Sequence, residues 1–373
     1  FIQSLYDLIL AHSTGQTQPT VAADGHERAK ERAEQLVRMA RTTVVAGGTS
    51  DDGSARSSLG VTGAVGCKLV SQNGSSVLEA GSILWRDGSA LGYGRGRLPH
   101  APEYSFTRPV DFISGACLLM PRADFARLGG FEVAAYKAYY EDTDLQMRIR
   151  YHLNKSIWLQ PLAVARHHEH GSFGKASRQL MIDGRQVFRD RWQAQLDASH
   201  MPHTLNPVDV LNASDRRLYT MPALLYVDVL LPRRRYGAGL PRLADNVLSL
   251  SRLGDKVTVV GTEEHEHEAK PADDGNRASA EYDTWAKLQQ AGVELVRLQD
   301  LQHALCELND RQGSEEAAEP GGGDRCIVVR LLLKLRPNLY KVIITSRPNV
   351  WHECYRHLAE YCHSPDKQQQ KVG

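Results

Sequence analysis

The spacing of hydrophobic residues predicts both helices and strands within the first 200 residues. Residues 1–11, FIQSLYDLILA, have apolar positions at helical spacing, and residues 61–70, VTGAVGCKLV, form a strand-like run followed by an Asn-Gly turn. Residues 12–60 between them are polar and rich in Ser, Thr, Gly and Ala. This composition is typical of a flexible insertion, so we expect the strands of the domain to begin at residue 61.

The segment from Val110 to Gly174 holds the polar groups around which this domain is organised. It contains an apolar run, a Gly-Gly turn, the acidic helix start Glu141-Asp142-Thr143-Asp144, and a strand that ends in paired histidines. Acids in a first helical turn are favoured by the helix dipole, which is one interpretation of the cluster. The alternative is that one carboxylate faces a cleft and takes a proton from an attacking hydroxyl. Three acids within four residues cannot all face one side of a helix, so at most one acts as the base.

The paired histidines are the candidate metal ligands in the sequence. His167 and His168 are neighbours, so they point to opposite faces of a strand and only one can join the carboxylates. Imidazole is a common metal ligand, although the spacing of HHEH matches no zinc signature. A hydrogen-bonded structural histidine at a strand end is the alternative interpretation.

The second half of the chain predicts a separate domain with a parallel sheet. Residues 201–219 contain an Asn-Pro pair and are predicted to be a linker. Strand-like runs then alternate with helical patterns, which indicates a doubly wound parallel sheet. The strands are ALLYVDVLL from residue 223, Val257–Val260, GVELVRL from residue 292 and KVIITSRP from residue 341.

Composition adds three limits to this picture. The 45 basic and 44 acidic residues nearly cancel, so bulk charge gives no reason to expect nucleic acid or an anionic membrane as a partner. No run approaches the ~20 apolar residues of a transmembrane helix. The cysteines form no CxxC motif, and buried free thiols are the expectation for Cys67, Cys117, Cys306, Cys326, Cys354 and Cys362.

The stretches VDFISGACLLMPRADFARLGGF, AYYEDTDLQMRIR and WLQPLAVARHHEHGS together resemble the acceptor half of a family-two glycosyltransferase of the GT-A fold. The resemblance implies that Asp142, of the Glu141-Asp142 pair, is the base that deprotonates the acceptor hydroxyl. It implies that His167, or its neighbour His168, binds Mg²⁺ or Mn²⁺ near the donor diphosphate. The donor would be a nucleotide-diphosphate sugar and the acceptor a glycan or polysaccharide. The implied acceptor-side residues are Ser114, Gly115, Ala116, Gly129, Gly130 and Asp144.

The same resemblance implies that part of the fold is missing. Such an enzyme begins with a nucleotide-binding strand and carries an Asp-x-Asp that grips the metal, and neither precedes the family-like segment here. We therefore expect this chain to be the C-terminal part of a longer protein and to lack that protein's donor-binding half. The expected fold class is α/β: an incomplete GT-A-type mixed-sheet domain over residues 1–200, then a doubly wound Rossmann-like parallel-sheet domain over 220–373. The latter resembles the N-terminal half of a GT-B glycosyltransferase, and it is expected to serve docking or acceptor binding rather than catalysis.

Three functions remain open from the sequence. The first is a metal-dependent inverting glycosyltransferase acting in the cytoplasm if the source is bacterial or in the Golgi if it is eukaryotic. The second is a non-catalytic glycan-binding or scaffold protein derived from such an enzyme. The third is a nucleotide-binding protein led by residues 221–350, although no glycine-rich phosphate loop follows the strand at Ala223.

Overall fold

The computed structural model describes residues 61–168, 177–233, 239–262, 284–302 and 326–363. The predicted opening helix and the predicted insertion at 12–60 lie outside these residues. The described chain is α/β, with one mixed sheet and one parallel sheet, as the sequence predicted. It divides into two compact units, and the second also takes residues 100–107 and 206–212. No helix among the described residues is both long and apolar enough to cross a membrane.

The first unit is built on a mixed sheet whose central strand is β1, Val61–Val70. Strand β7 pairs with β1 in parallel, while β2 and β6 pair antiparallel along its length and β5 pairs antiparallel with β7. Strands β3 and β4 form a small hairpin. The remaining strands are β2 (Val77–Glu79), β3 (Ser82–Leu84), β4 (Ala90–Gly92), β5 (Arg108–Pro109), β6 (Leu118–Leu119) and β7 (Lys155–Arg166).

The described part of the first unit also contains the helices α1 (Arg122–Arg127), α2 (Glu141–Leu153) and α3 (Ser177–Ser199). Helix α2 begins at the acidic cluster, where the sequence predicted a helix start. Aromatic and aliphatic side chains from α2, α3, the end of β3 and the adjoining loops form one buried cluster, because each helix turns an apolar stripe inward. Its members are Leu84, Phe112, Tyr136, Tyr140, Met147, Phe188, Trp192 and Leu196.

The second unit contains a four-stranded sheet in the order β10-β9-β8-β11, with every neighbouring pair parallel. This confirms the parallel sheet that the alternating pattern predicted. The strands are β8 (Ala223–Asp228), β9 (Lys256–Gly261), β10 (Val293–Val296) and β11 (Tyr340–Thr345). The labelled helices are α4 (Pro207–Ala213), α5 (Gly239–Arg252), α6 (Ile327–Leu335) and α7 (Pro348–His363). The predicted linker at 201–219 thus contains α4 and a 3-10 turn at Arg216–Tyr219.

The expectation that all cysteines are free thiols is wrong for one pair. Cys326 and Cys354 form a disulfide with their Cα atoms 5.5 Å apart. Cys326 immediately precedes α6 and Cys354 lies within α7, so the packing of these two helices brings the thiols together. Residues 28 positions apart carry no local signal of that proximity. Cys67 is buried and free, Cys362 is exposed and free, and Cys306 lies outside the described residues.

Candidate functional site

The residues that lead into α2 have a strained backbone. Tyr139 and Tyr140 have φ angles of 64° and 69°, in the left-handed region that bulky residues rarely adopt. The conformation is held by tertiary contacts: the Tyr140 hydroxyl donates to the Gly88 carbonyl at 2.9 Å, and its ring packs against Phe188. Backbone strain of this kind is concentrated at functional sites. The strained turn therefore marks the start of α2, where Asp142 lies, as a candidate site.

Two carboxyl groups bind consecutive backbone amides of the loop before β6. Asp142 Oδ2 accepts a hydrogen bond from Gly115 N at 2.7 Å. Glu79 Oε1 accepts one from Ser114 N at 2.8 Å. Gly115 allows the approach of Asp142, because a Cβ at this position would lie 3.2 Å from the Asp142 carboxylate. The Ser-Gly-Ala segment is thus clamped between two acids.

The acids of this site have perturbed proton affinities. Burial raises the pKa of Asp142, although hydrogen bonds from Gly115 and Thr143 oppose that rise. Burial, and then the charge of Asp142, raises the pKa of Glu141. One carboxylate oxygen of Glu141, Oε2, is buried without a hydrogen-bond partner among the described residues. Burial raises the pKa of Glu79 to about 7. Carboxyls with raised pKa values are suited to proton transfer near neutral pH.

Helix α2 also fixes the segment before the Ser-Gly-Ala loop. The Gln146 side chain accepts from Ile113 N at 2.8 Å and donates to the Ile113 carbonyl at 2.6 Å. Arg150 donates to the carbonyls of Val110 at 2.9 Å and Asp111 at 2.5 Å. These contacts hold residues 110–115 in register with the helix that carries Asp142. Sequence reasoning missed Gln146 and Glu79, because each meets a partner more than 30 residues away.

The Gly-Gly turn is held by the same helix. Gly129 and Gly130 have φ angles of 78° and 74°, which a side chain would oppose. Arg148 donates to the carbonyls of Leu128 at 2.7 Å and Gly130 at 2.8 Å. The structure therefore ties both predicted acceptor-side elements to helix α2, the Ser-Gly-Ala loop through Asp142 and the Gly-Gly turn through Arg148 on a different face of the helix. Their part in binding an acceptor stays a prediction.

Asp144 departs from the predicted acceptor-side role. Its side chain is 0% exposed, and it accepts from Arg148 Nε and Trp192 Nε1, each at 2.8 Å. Tyr136 and Arg191 approach the same carboxylate at 3.4 Å. A carboxylate surrounded by protein donors has no face left for a sugar hydroxyl. Asp144 is thus an internal anchor between α2 and α3.

We expect Asp144→Asn to lower the free energy of unfolding of the first unit by about 1–3 kcal/mol, the cost of unpaired buried polar groups. The amide can still accept from Trp192, but its NH₂ group opposes the Arg148 guanidinium. Urea unfolding followed by tryptophan fluorescence measures the loss. Asp190→Asn, an exposed carboxylate on α3, is the matched control and is expected to stay within about 0.5 kcal/mol of the unmodified protein. An equally small effect at Asp144 would refute the anchoring role.

The histidines lie just beyond the end of β7. His167 donates its backbone N–H to the Val70 carbonyl at 3.0 Å and is partly buried, while His168 is exposed. No group of three or more His, Cys, Asp or Glu side chains that could hold a metal occurs in the part of the chain that the structure describes. The described residues alone therefore do not complete the predicted Mg²⁺ or Mn²⁺ site. His170 lies outside the described residues.

Comparison with known proteins gives one partial similarity. The chain is 42% identical over 71 residues to two curated proteins from Mycobacterium tuberculosis, of strains CDC 1551 / Oshkosh and ATCC 25618 / H37Rv. Both are named N-acetylglucosaminyl-diphospho-decaprenol L-rhamnosyltransferase. The match covers 18% of this chain and 22% of each relative. No family model and no solved structure matches the chain. The chain is therefore similar, over a limited segment, to a glycosyltransferase.

Proposed function

We propose that the protein is a glycosyltransferase that moves a sugar from a nucleotide-diphosphate donor to a hydroxyl of a glycan acceptor. The observation that carries the proposal is the position of Asp142, a carboxylate of raised pKa at a strained helix start and bound to the Ser-Gly-Ala loop. The partial similarity to a rhamnosyltransferase supports the same class of reaction. The mixed sheet of the first unit is consistent with a GT-A type of domain, and the parallel sheet of the second with a Rossmann-like one.

The chemistry proposed for this site is a single inverting displacement. The acceptor oxygen attacks the anomeric carbon of the donor sugar while the diphosphate leaves from the opposite face. Asp142 removes the proton from the acceptor hydroxyl as the new bond forms. Its hydrogen bond from Gly115 orients the carboxylate, and burial keeps it basic. Glu141, whose Oε2 atom has no hydrogen-bond partner in the described chain, is the second candidate for that proton.

A divalent cation remains part of the proposal. Mg²⁺ or Mn²⁺ would offset negative charge on the departing diphosphate. The described residues supply the two histidines but no third ligand in their vicinity, so we assign the ion no step in the proton transfer. Removal of metal by a chelator, followed by return of Mn²⁺, tests this part of the proposal separately from the role of Asp142.

The names of the relatives guide the first substrates to try. A nucleotide-diphosphate L-rhamnose is the first donor, and a lipid diphosphate bearing N-acetylglucosamine is the first acceptor. A panel of other nucleotide sugars and of glycan acceptors should accompany them, because the similarity covers only 22% of the relatives. The assay uses the full chain.

The test is a transfer assay read by mass spectrometry. We expect one donor to add a single sugar mass to its acceptor, with the transferred sugar of inverted anomeric configuration by NMR. A retained configuration would refute the displacement proposed here. Glycan binding that is independent of nucleotide and Mn²⁺, with no product from any donor, would refute the proposed transferase activity. It would support the non-catalytic glycan-binding alternative.

A further inference from the structure

Glu79 is a buried acid for which the proposed reaction has no assigned role. It ends β2 and pairs with Leu69 of β1, while Leu118 of β6 pairs with Gly66 on the same strand. These two positions on β1 are three residues apart, or roughly 10 Å at strand spacing. The end of β2 therefore faces the loop that leads into β6. Glu79 is only 8% exposed there, within the protein interior.

Glu79 and Asp142 accept hydrogen bonds from two consecutive backbone amides of the same loop. Glu79 accepts from Ser114 N at 2.8 Å and Asp142 accepts from Gly115 N at 2.7 Å. Because these amides are consecutive, any shift of the loop toward one carboxyl alters the hydrogen bond to the other. The loop is also restrained on its N-terminal side by Gln146, which binds Ile113. The pair is thus coupled through covalent backbone as well as through charge.

We propose that Glu79 is a positioning residue that acts through the Ser114-Gly115 backbone to orient Asp142 and to set its strength as a base. This inference rests on the proposed function for its catalytic meaning. Its structural part, the coupling of the two carboxyls, stands on the hydrogen bonds alone. Glu79 touches the loop and not the reacting atoms.

The charges around Glu79 determine how the coupling depends on pH. Burial raises the pKa of Glu79 to about 7; the Ser114 amide opposes this rise, and the charge of Asp142 adds to it. The Ser82 side chain and the charge of Arg95 also favour the ionised form. On the other side lies the Cys67 thiol, whose pKa is raised by its hydrogen bond with Cys117, by burial and also by the charge of Glu79.

Two ionisation states of the pair follow from these charges. Below about pH 7, Glu79 is protonated and the pair carries one negative charge when Asp142 is ionised. Above that pH, the second negative charge repels the first, so Asp142 binds a proton more strongly and becomes a better base. Proton removal from the acceptor is therefore expected to become faster as pH rises through the Glu79 transition.

The experiment follows the amide of Gly115 directly. Serine followed by glycine occurs once in the sequence, at Ser114-Gly115, so ¹³C-carbonyl serine combined with ¹⁵N-glycine gives a signal from this peptide alone. Cell-free synthesis prevents exchange of label between the two amino acids. We expect the Gly115 amide shift to have an inflection near pH 7, and Glu79→Gln to abolish it. The glutamine can still accept from Ser114, so the fold is expected to persist.

The variants give each outcome a meaning. Asp190→Asn is the control and should keep the inflection. Glu79→Asp, with a shorter side chain, should move the inflection to another pH. A Gly115 amide that does not titrate near neutral pH, or an inflection unchanged in Glu79→Gln or Glu79→Asp, overturns the proposal. This signal requires no turnover, so a normal titration in a protein without transferase activity overturns the proposed function and leaves the coupling intact.

A kinetic profile tests the link to catalysis. In the active protein, kcat is expected to rise through an inflection near pH 7 that Glu79→Gln lacks. A merely structural role would scale kcat at every pH and leave the shape of the profile unchanged. An unchanged shape together with an altered Gly115 titration would overturn the catalytic role of Glu79.

Discussion

Replacement of Asp142 by asparagine is expected to lower kcat by about 10²- to 10⁴-fold, the usual contribution of a general base. The carboxylate lies at the start of α2 and accepts from Gly115 at 2.7 Å and from Thr143 N at 2.6 Å. Asparagine can place its one oxygen toward Gly115 N and its NH₂ group toward Thr143, so the loop should remain in place while the basic group is lost. The measurement is single-turnover transfer at saturating donor, which separates chemistry from product release.

Two companion variants make the Asp142 result decisive. Asp190→Asn removes an exposed carboxylate from α3 and is expected to leave kcat unchanged. Glu141→Gln tests the neighbouring acid, whose pKa is also raised and whose Oε2 atom has no hydrogen-bond partner among the described residues. If Asp142→Asn retains near-normal transfer while Glu141→Gln loses it, the base is Glu141. If both retain transfer, neither acid is the base and the proposed mechanism fails.

The sequence was a good guide to elements whose cause is local. The acidic start of α2 follows from favourable charge in a first helical turn, and the structure begins the helix at Glu141. The run VTGAVGCKLV predicted a strand, and β1 spans those same residues. In the second unit, alternating strands and helices indicated a parallel sheet, because parallel strands require crossover connections. These features depend on the spacing of residue types along the chain, which can be read directly from the sequence.

The sequence was a poor guide wherever a side chain is defined by a distant partner. Glu79 meets Ser114 across 35 residues, and nothing in the VLE run at β2 distinguishes it from a solvent-facing acid. In the sequence Asp144 is indistinguishable from its acidic neighbours, because the partner that defines its role, Trp192 on α3, lies 48 residues away. The left-handed backbone of Tyr139 and Tyr140 runs against local preference, so only tertiary contacts account for it.

The second unit contains a buried ionic cluster centred on Glu294. Its Oε1 and Oε2 atoms accept from the two terminal nitrogens of Arg336 at 2.8 and 2.9 Å, and Oε2 also accepts from Lys256 Nζ at 2.5 Å. Thr258 donates to the same oxygen at 2.9 Å, and Arg336 also donates to Tyr340 at 3.0 Å. Glu294 and Lys256 are each 1% exposed. Every member is thus satisfied within the protein interior.

The position of the cluster indicates that it serves stability rather than ligand binding. Lys256 and Tyr340 are the first residues of β9 and β11, and Glu294 is the second residue of β10. These are the amino ends of parallel strands, whereas ligands of open α/β sheets bind at the carboxyl ends. The neighbouring Arg336 and Lys256 cations hold the pKa of Glu294 well below its usual range, in spite of a burial effect that acts to raise it. Glu294 therefore stays ionised across the physiological range.

Glu294→Gln is expected to lower the free energy of unfolding of the second unit by about 3–5 kcal/mol, because it removes the anion that two buried cations share. Among the carboxylates of the described chain, Arg336 then keeps only Glu103, at 4.0 Å. Glu360→Gln, an exposed acid on α7, is the matched control and should change stability by less than about 0.5 kcal/mol. Hydrogen exchange of peptides from β9 and β10 in graded urea isolates this unit from the first. The pKa of Glu294 is depressed in the folded state, so its ionised form stabilises the fold fully above the unfolded glutamate pKa of about 4.3. This stabilisation is lost as pH falls toward the folded pKa. The difference in free energy of unfolding between the unmodified protein and Glu294→Gln should therefore narrow below about pH 4. A difference that is absent at neutral pH, or that does not change with pH, would refute the assignment of Glu294 as the ionised centre of the cluster.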